Sequence, residues 1–161
     1  MRWKGGRTTR PDGYVVLTIH NHPTADKYGR ILATVYDKDT NENYVFVTKI
    51  IDGDTILANG EHIRLLGIDA DEKGYECYNE AKKRLEELIL NKEIVLEKDK
   101  SDKDQYRRFL RYIFLENKNI NILMVEEGLA VARFYDDRKY YEDILDAERK
   151  ARENKIGCKW S

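Results

Sequence analysis

The sequence has few of the features that mark a metal-stabilised or disulfide-rich fold. It contains 2 cysteines and 2 prolines among its 161 residues. Neither cysteine belongs to a CxxC or Cys-His spacing, which argues against a zinc site. Cys77 and Cys158 lie far apart in the chain. We therefore expect two separate buried thiols, with a disulfide between them as the alternative.

Long apolar runs are also missing. No run approaches the roughly 18 residues that a membrane-spanning helix needs. The first residues carry Arg2, Lys4 and Arg7 without the apolar core of a secretory leader. We therefore expect no membrane contact, a cytoplasmic location and, by default, a monomer.

An excess of either charge is absent as well. The chain has 29 basic and 30 acidic side chains and a formal net charge of −1. This balance predicts no nucleic-acid binding by bulk charge, so any such binding must come from local basic patches. A chain of this length is expected to form one main domain with its own core.

The order of predicted elements indicates an α+β fold. Strand-like segments lead to a helical pattern over residues 74–91, then two strands follow, and two further helices cover residues 119–127 and 136–155. Short strands with helices outside them favour a small barrel. The polar residues 37–43 suggest a boundary between residues 1–42 and a main domain over residues 43–161.

The first 42 residues are expected to form a basic arm and a β-hairpin. Residues 1–13 are rich in arginine and glycine, so they predict an irregular arm that contacts phosphates or a tail without function. Residues 14–19 and 31–36 predict the two strands of the hairpin. His20 and His22 would share one strand face, but two ligands without a third are weak support for a metal site.

This hairpin weakly resembles one at the front of phage-type HNH endonucleases. The similarity runs from Asp12 through His22-Pro23 to Arg30. The metal-binding half of that family is absent downstream, so a nuclease of the HNH type is disfavoured. The resemblance implies at most an additional element that contacts nucleic acid.

The most informative stretch runs from Ile50 to Glu72. Two apolar strand-like runs flank Asn59-Gly60, the usual signal of a two-residue hairpin turn. Arg64 lies in the second run, and carboxylates gather where the runs end: Asp52, Asp54, Asp69, Asp71 and Glu72. Carboxylates beside an arginine suggest a hard cation and a phosphate. Asp52, next to Gly53, is better explained as a turn residue.

Several ordered motifs are similar to the staphylococcal nuclease (thermonuclease) family, over about residues 43–161. The motifs are Ile51–Thr55, Ile63–Glu72, Asp104–Leu110, Asn121–Ala130 and the closing segment Ala147–Trp160. The resemblance implies a five-stranded OB-type β-barrel with three helices. It also implies a Ca²⁺-dependent, sugar-nonspecific nuclease that hydrolyses phosphodiester bonds of DNA and/or RNA and leaves 3′-phosphate ends.

The resemblance assigns roles by position. The implied metal ligands are the carboxylates of Asp54 and Asp69 and the backbone carbonyl of Ala70. The implied catalytic residues are Glu72, which activates water, and the phosphate-binding arginines Arg64 and Arg108. The implied substrate-binding rings are Tyr106, Phe134 and Tyr135. Without the resemblance, Arg64 could equally belong to a buried structural ion pair, and Arg107 and Arg111 compete with Arg108.

Four positions depart from the family pattern. Asp71 replaces a proline and adds a carboxylate beside the expected cation, which could tighten cation binding or repel the substrate. Gln105 replaces a lysine, and Arg107 replaces a glycine, where a positive φ would strain the turn. Phe134 replaces a tyrosine that stacks on the substrate.

Two functions remain in competition. The first is the metal-dependent nuclease, and the alternative is a non-catalytic OB module that binds nucleic acid. The carboxylates and arginines that such a reaction needs are all present, and this favours the enzyme.

Overall fold

The computed structural model describes three short strands before residue 43 and then the continuous chain over residues 43–161. These strands are β1 (Gly5–Thr9), β2 (Val15–Ile19) and β3 (Val35–Tyr36). β2 pairs antiparallel with β3, and β3 pairs antiparallel with Asn43 and Tyr44. His20 and His22, and most of the expected arm, lie outside the described residues.

β1 differs from the expectation for residues 1–13. It pairs antiparallel with β2, with Gly5 opposite Ile19 and Thr9 opposite Val15. The prediction of an irregular arm was therefore wrong for these five residues. A sheet edge offers unpaired backbone groups, and pairing with it outweighs the low strand propensity of glycine.

A closed five-stranded barrel forms the centre of the main domain. Its strands are β4 (Asn43–Asp52), β5 (Thr55–Ala58), β6 (Glu61–Leu65), β8 (Glu93–Glu97) and β9 (Phe109–Leu115). β4 pairs with β5, β5 with β6, β6 with β9 in parallel, β9 with β8, and β8 with β4. Closure leaves none of these five barrel strands at a free edge. The predicted barrel is confirmed.

The β5–β6 hairpin turns at Asn59 and Gly60, as predicted. Both residues have positive φ, 49° and 79°, which is the conformation that a type I′ turn requires. Ala58 lies opposite Glu61 in the resulting register. This hairpin sets Arg64 and the carboxylates that follow β6 at one end of the barrel.

Helices and shorter strands surround the barrel. They are β7 (Ile68–Ala70), α1 (Tyr78–Ile89), β10 (Lys118–Asn119), α2 (Ile120–Glu126), β11 (Ala130–Ala132), α3 (Tyr141–Glu153) and α4 (Gly157–Trp160). β7 and β11 form a separate antiparallel pair. The three expected helices are present, and α1 and α3 begin later than predicted. A one-turn fourth helix, α4, was not predicted.

The core lies inside the barrel and between the barrel and the helices. Val47, Ile56 and Ile113 from the strands are completely buried, as are Leu85 and Ile89 from α1. The apolar face of α1 thus closes one side of the barrel.

Asn121 is a buried polar residue in this core. Its amide donates to the carbonyls of Leu66 and Arg111, at 2.8 and 3.2 Å, and its oxygen accepts from the N–H of Ile113 at 3.0 Å. α2, β9 and the turn after β6 are therefore tied together by one side chain.

The two cysteines form a disulfide, so the expectation of separate thiols was wrong. The Cα atoms of Cys77 and Cys158 are 5.5 Å apart, within the usual range for a disulfide. The bond joins the turn before α1 to α4. Sequence separation gave no hint of this pairing, because the distance closes only when α4 folds back against that turn.

Candidate active site

One cavity gathers eight of the nine predicted site residues. Its volume is about 560 Å³, and it opens at the end of the barrel where β6 leads into β7. The predicted residues in its wall are Asp54, Arg64, Asp69, Ala70, Glu72, Tyr106, Arg108 and Tyr135. The barrel strands and their loops supply Asp54, Arg64, Tyr106 and Arg108, whereas β7, β11 and the residues that follow them supply the other four.

The turn between β4 and β5 places the first carboxylate. The side chain of Asp52 accepts the backbone N–H of Asp54 at 3.1 Å, which confirms its expected role as a turn residue. A Cβ on Gly53 would lie 2.7 Å from the Cβ atoms of both Ala70 and Ala81. Glycine is therefore needed here so that the turn can pack against β7 and α1.

Asp54 is held as a buried carboxylate. The residue is 4 % exposed. One oxygen accepts the hydroxyl of Thr55 at 3.0 Å, and the other accepts the backbone N–H of Ala70 at 2.7 Å. Burial raises the pKa of Asp54 to about 7, against the lowering effect of the positive charge on Arg64. A carboxylate in this setting favours a neighbouring cation.

Arg64 links two acidic residues. Its Nη2 atom lies 3.2 Å from Asp54 Oδ2 and 3.3 Å from Asp69 Oδ1. Its Nη1 atom donates to the carbonyl of Leu65 at 2.6 Å. Because one nitrogen contacts both carboxylates, the two acidic groups face the same small region of the cavity.

Arg108 lines the cavity from the loop that precedes β9. Asp104 holds it twice: its carboxylate accepts the Arg108 backbone N–H at 3.0 Å and the guanidinium Nε at 2.7 Å. The guanidinium also lies 3.4 Å from the Thr55 hydroxyl and 5.3 Å from the centre of the Tyr106 ring. Arg111 points elsewhere and pairs with Asp102.

The turn that precedes Arg108 contains the departure at Arg107. Arg107 has φ 64°, the left-handed conformation that a glycine adopts without strain. Asp104 stabilises the turn, because its carboxylate also accepts the N–H of Tyr106 at 2.9 Å and its carbonyl accepts that of Arg107 at 3.1 Å. The chain thus keeps the turn and accepts the strain.

Glu72 and Asp71 face different surroundings. Glu72 is exposed and lines the cavity. Asp71 accepts the backbone N–H of Cys77 at 2.9 Å and pairs with Lys159 of α4. The expectation that Asp71 adds a carboxylate beside a cation was therefore wrong. The hydrogen bond from the Cys77 N–H to Asp71 holds the turn before α1, and α1 therefore begins later than predicted.

The aromatic residues after β11 divide between the cavity and the core. Tyr135 lines the cavity and is 71 % exposed. Phe134 does not line the cavity. Its ring packs against the ring of Tyr141, with 4.6 Å between the ring centres, and lies beside Gly67. Arg133, which sequence reasoning missed, lines the cavity together with Tyr135. The available signal was its spacing of two residues from Tyr135, which in an extended segment would place both side chains on one face.

Asp137 is a second residue that sequence reasoning missed. It is 5 % exposed, and its carboxylate accepts the N–H groups of Lys100 and Ser101, both at 2.8 Å. It thereby fixes the start of the loop that leads to Tyr106 and Arg108. The sequence offers no local signal for this role, because the partners lie more than 35 residues away.

The cavity offers carboxylate and carbonyl oxygens, which are the type of ligand that a hard cation prefers. Asp54 and Asp69 present carboxylates to one region, and Ala70 lies in the same wall. Within residues 44–161, no group of three histidine, cysteine or acidic side chains could hold a metal ion. Ca²⁺ takes six to eight oxygens, so water, backbone and substrate oxygens would have to complete its coordination.

No helix among the described residues is long and apolar enough to cross a membrane.

Comparison with known proteins places this geometry in a family. The model of the family described as staphylococcal nuclease homologue matches residues 62–161. The chain is 33 % identical to the thermonuclease of Staphylococcus hyicus, and the match covers 76 % of this chain and 79 % of that protein. It is 35 % identical to an uncharacterized endonuclease of Haemophilus influenzae, covering 72 % and 66 %.

A third relative has a similar identity. An uncharacterized protein of Methanocaldococcus jannaschii is 35 % identical, and the match covers 76 % of this chain and 75 % of that protein. The family match includes Arg64, Asp69, Glu72 and Arg108, whereas Asp54 precedes it. The chain therefore belongs to the family of staphylococcal nuclease homologues and is an enzyme of the nuclease class.

Proposed function

We propose that the chain is a Ca²⁺-dependent, sugar-nonspecific nuclease that hydrolyses phosphodiester bonds of DNA and RNA to 3′-phosphate ends. The observation that carries the proposal is the shared cavity: two carboxylates joined by Arg64, an exposed glutamate and a second arginine meet in one wall. Hydrolysis of an anionic diester needs this combination of groups.

The arginines supply fixed positive charge for the phosphate. Arg64 and Arg108 can each present two N–H groups of a planar guanidinium to phosphate oxygens. Both are held by carboxylates in the free protein, Arg64 by Asp54 and Asp69 and Arg108 by Asp104. Their positions are therefore set before substrate arrives, and the cost of ordering them is lower.

Asp54, Asp69 and the Ala70 carbonyl are the ligands that would hold the cation. When bound, Ca²⁺ would polarise a phosphoryl oxygen and offset the charge that develops on it. Such an ion would stabilise the ionised form of Asp54, because burial disfavours the charge and raises the pKa of this carboxyl group to about 7.

In this proposal Glu72 accepts a proton from water. It is exposed on the cavity wall, whereas the preceding residue, Asp71, does not line the cavity and pairs with Lys159. A positioned general base typically contributes about 10²- to 10⁴-fold to a rate. Tyr106 and Tyr135 offer exposed ring faces on which bases can stack.

Release of acid-soluble nucleotides from single-stranded DNA and from RNA tests the proposal. We expect activity with Ca²⁺ and none with chelator. Glu72→Gln should lower kcat by about 10²- to 10⁴-fold, and Arg64→Ala by at least about 10²-fold. Arg149→Ala, which removes an exposed arginine of α3, is the matched control. Activity that survives chelation, or that Glu72→Gln leaves intact, would refute the mechanism.

The alternative of a non-catalytic binding module has a distinct outcome in the same assay. Such a module would bind labelled single-stranded DNA and release no nucleotides under any metal condition. The exposed tyrosines are compatible with both functions, whereas the pairing of Arg64 with two carboxylates at the cavity wall favours catalysis.

A further inference from the structure

Arg133 is a third guanidinium in the cavity, and the mechanism above leaves it without a role. The side chain of Arg133 is 55 % exposed, compared with 16 % for Arg64 and 29 % for Arg108. Its position is defined by the backbone, because the Arg133 N–H donates to the carbonyl of Gly67 at 2.9 Å. It therefore stands at the solvent side of the cavity, on a fixed main chain.

Its contacts connect it to the other charged groups. Arg133 Nη1 lies 3.0 Å from Asp69 Oδ2, while the second oxygen of Asp69 contacts Arg64. The guanidinium also lies 5.7 Å from the centre of the Tyr135 ring. Arg108 and Tyr106 make the corresponding pair, at 5.3 Å. The cavity thus has two exposed tyrosines, each with an arginine over its ring.

We propose that Arg133 is a substrate-binding residue that contacts a phosphate flanking the scissile one, with Tyr135 stacking on the attached nucleotide. The inference rests on the proposed function, which places the scissile phosphate between Arg64 and Arg108. A cation held by Asp69 would compete with Arg133 for the carboxylate and would leave the guanidinium available to an incoming polyanion. The fork of a guanidinium matches phosphate oxygens.

This role differs from one in which Arg133 only positions Asp69. A positioning residue would change cation affinity and kcat and would not change how binding depends on salt. A phosphate contact releases counterions, and its removal lowers the salt slope of single-strand binding by about 0.7. The two roles therefore predict different measurements.

The first experiment measures binding without cleavage. A fluorescein-labelled oligothymidylate is titrated by anisotropy with the Glu72→Gln protein in Ca²⁺ at several salt concentrations, and the strand is checked for integrity. We expect Arg133→Ala to weaken affinity by about 10-fold or more and to reduce the salt slope by about 0.7. Arg133→Lys should keep the slope and part of the affinity. Arg149→Ala should change affinity less than about 2-fold.

The second experiment separates affinity from chemistry in the otherwise unmodified protein. Arg133→Ala should raise KM for the oligonucleotide with kcat within about 3-fold. An unchanged salt slope, or a loss confined to kcat and to Ca²⁺ affinity in calorimetry without oligonucleotide, would overturn the proposal. If the parent protein binds the strand and never cleaves it, the proposed function fails while the effect of Arg133 on binding is still measured.

Discussion

Asp71 and Lys159 form an ion pair between the turn that follows β7 and the one-turn helix α4. The Asp71 carboxylate also accepts the N–H of Cys77, whose sulfur is bonded to Cys158, the residue before Lys159. Two adjacent links therefore fasten α4 to the segment that carries Glu72. The carboxylate that looked like an addition to the active site is part of this fastening.

Asp71→Asn tests whether this ion pair is structural. The substitution keeps an oxygen that can accept the Cys77 N–H and removes the charge that Lys159 pairs with. We expect a thermal midpoint lower by a few degrees and a kcat within about 2-fold of the parent. Lys159→Gln should have the same effect on stability. A changed Ca²⁺ dependence in Asp71→Asn would instead place this carboxylate at the cation.

Removal of the disulfide tests the second link. The bond closes a loop of 81 residues, for which the chain-entropy model gives about 4–5 kcal/mol of stabilisation. The Cys77→Ser/Cys158→Ser protein should lose a large part of that free energy of unfolding, measured by urea denaturation without reductant. The parent protein under reductant is the control. Equal stability of all three samples would show that the bond contributes nothing.

For the strained turn at Arg107 we predict a substitution that increases stability. Arg107→Gly should raise the free energy of unfolding by about 0.5–1 kcal/mol. Relief of the conformational strain at φ 64° outweighs the extra conformational entropy that a glycine has in the unfolded chain. Gln105→Gly in the same turn lacks this benefit and should lower stability. Denaturant titration of both variants measures the difference, and a loss of stability in Arg107→Gly would contradict the argument.

Asp104 should make the stability of the Arg108 loop depend on pH. Burial raises the pKa of Asp104, but hydrogen bonds from the backbone N–H and guanidinium of Arg108 outweigh it, and the net effect lowers the pKa below 3.8. A carboxyl group whose pKa is lower in the folded than in the unfolded state stabilises the fold at every pH above its unfolded-state pKa. This stabilisation is lost as the pH falls through the folded-state pKa.

The measurement compares the parent with Asp104→Asn across pH. The asparagine variant should be less stable at pH 7, and the gap should narrow as the pH falls below about 4. Asp146→Asn, on the exposed face of α3, is the control for a surface carboxylate. A gap that stays constant down to pH 2 would show that the Asp104 charge contributes no stability.

Much of the fold could be predicted from sequence because its signals are local. The Asn59-Gly60 turn, the apolar alternation of β5 and β6 and the helical period of α1 each depend on neighbouring residues. The ordered motifs then identified the family. Helix starts were less predictable, because the residues before α1 are held in a turn by the carboxylate of Asp71.

The sequence by itself determined the chemical inventory of the cavity: the carboxylates, the arginines and the glycine that permits the Asp52–Asp54 turn. Only the tertiary structure decided how these groups are used. It turned Asp71 towards Lys159, packed Phe134 against Tyr141 and brought Arg133 to Asp69. The contacts of Asp71 with Lys159 and of Arg133 with Asp69 join residues that are distant in the chain, so no local pattern of the sequence specifies them.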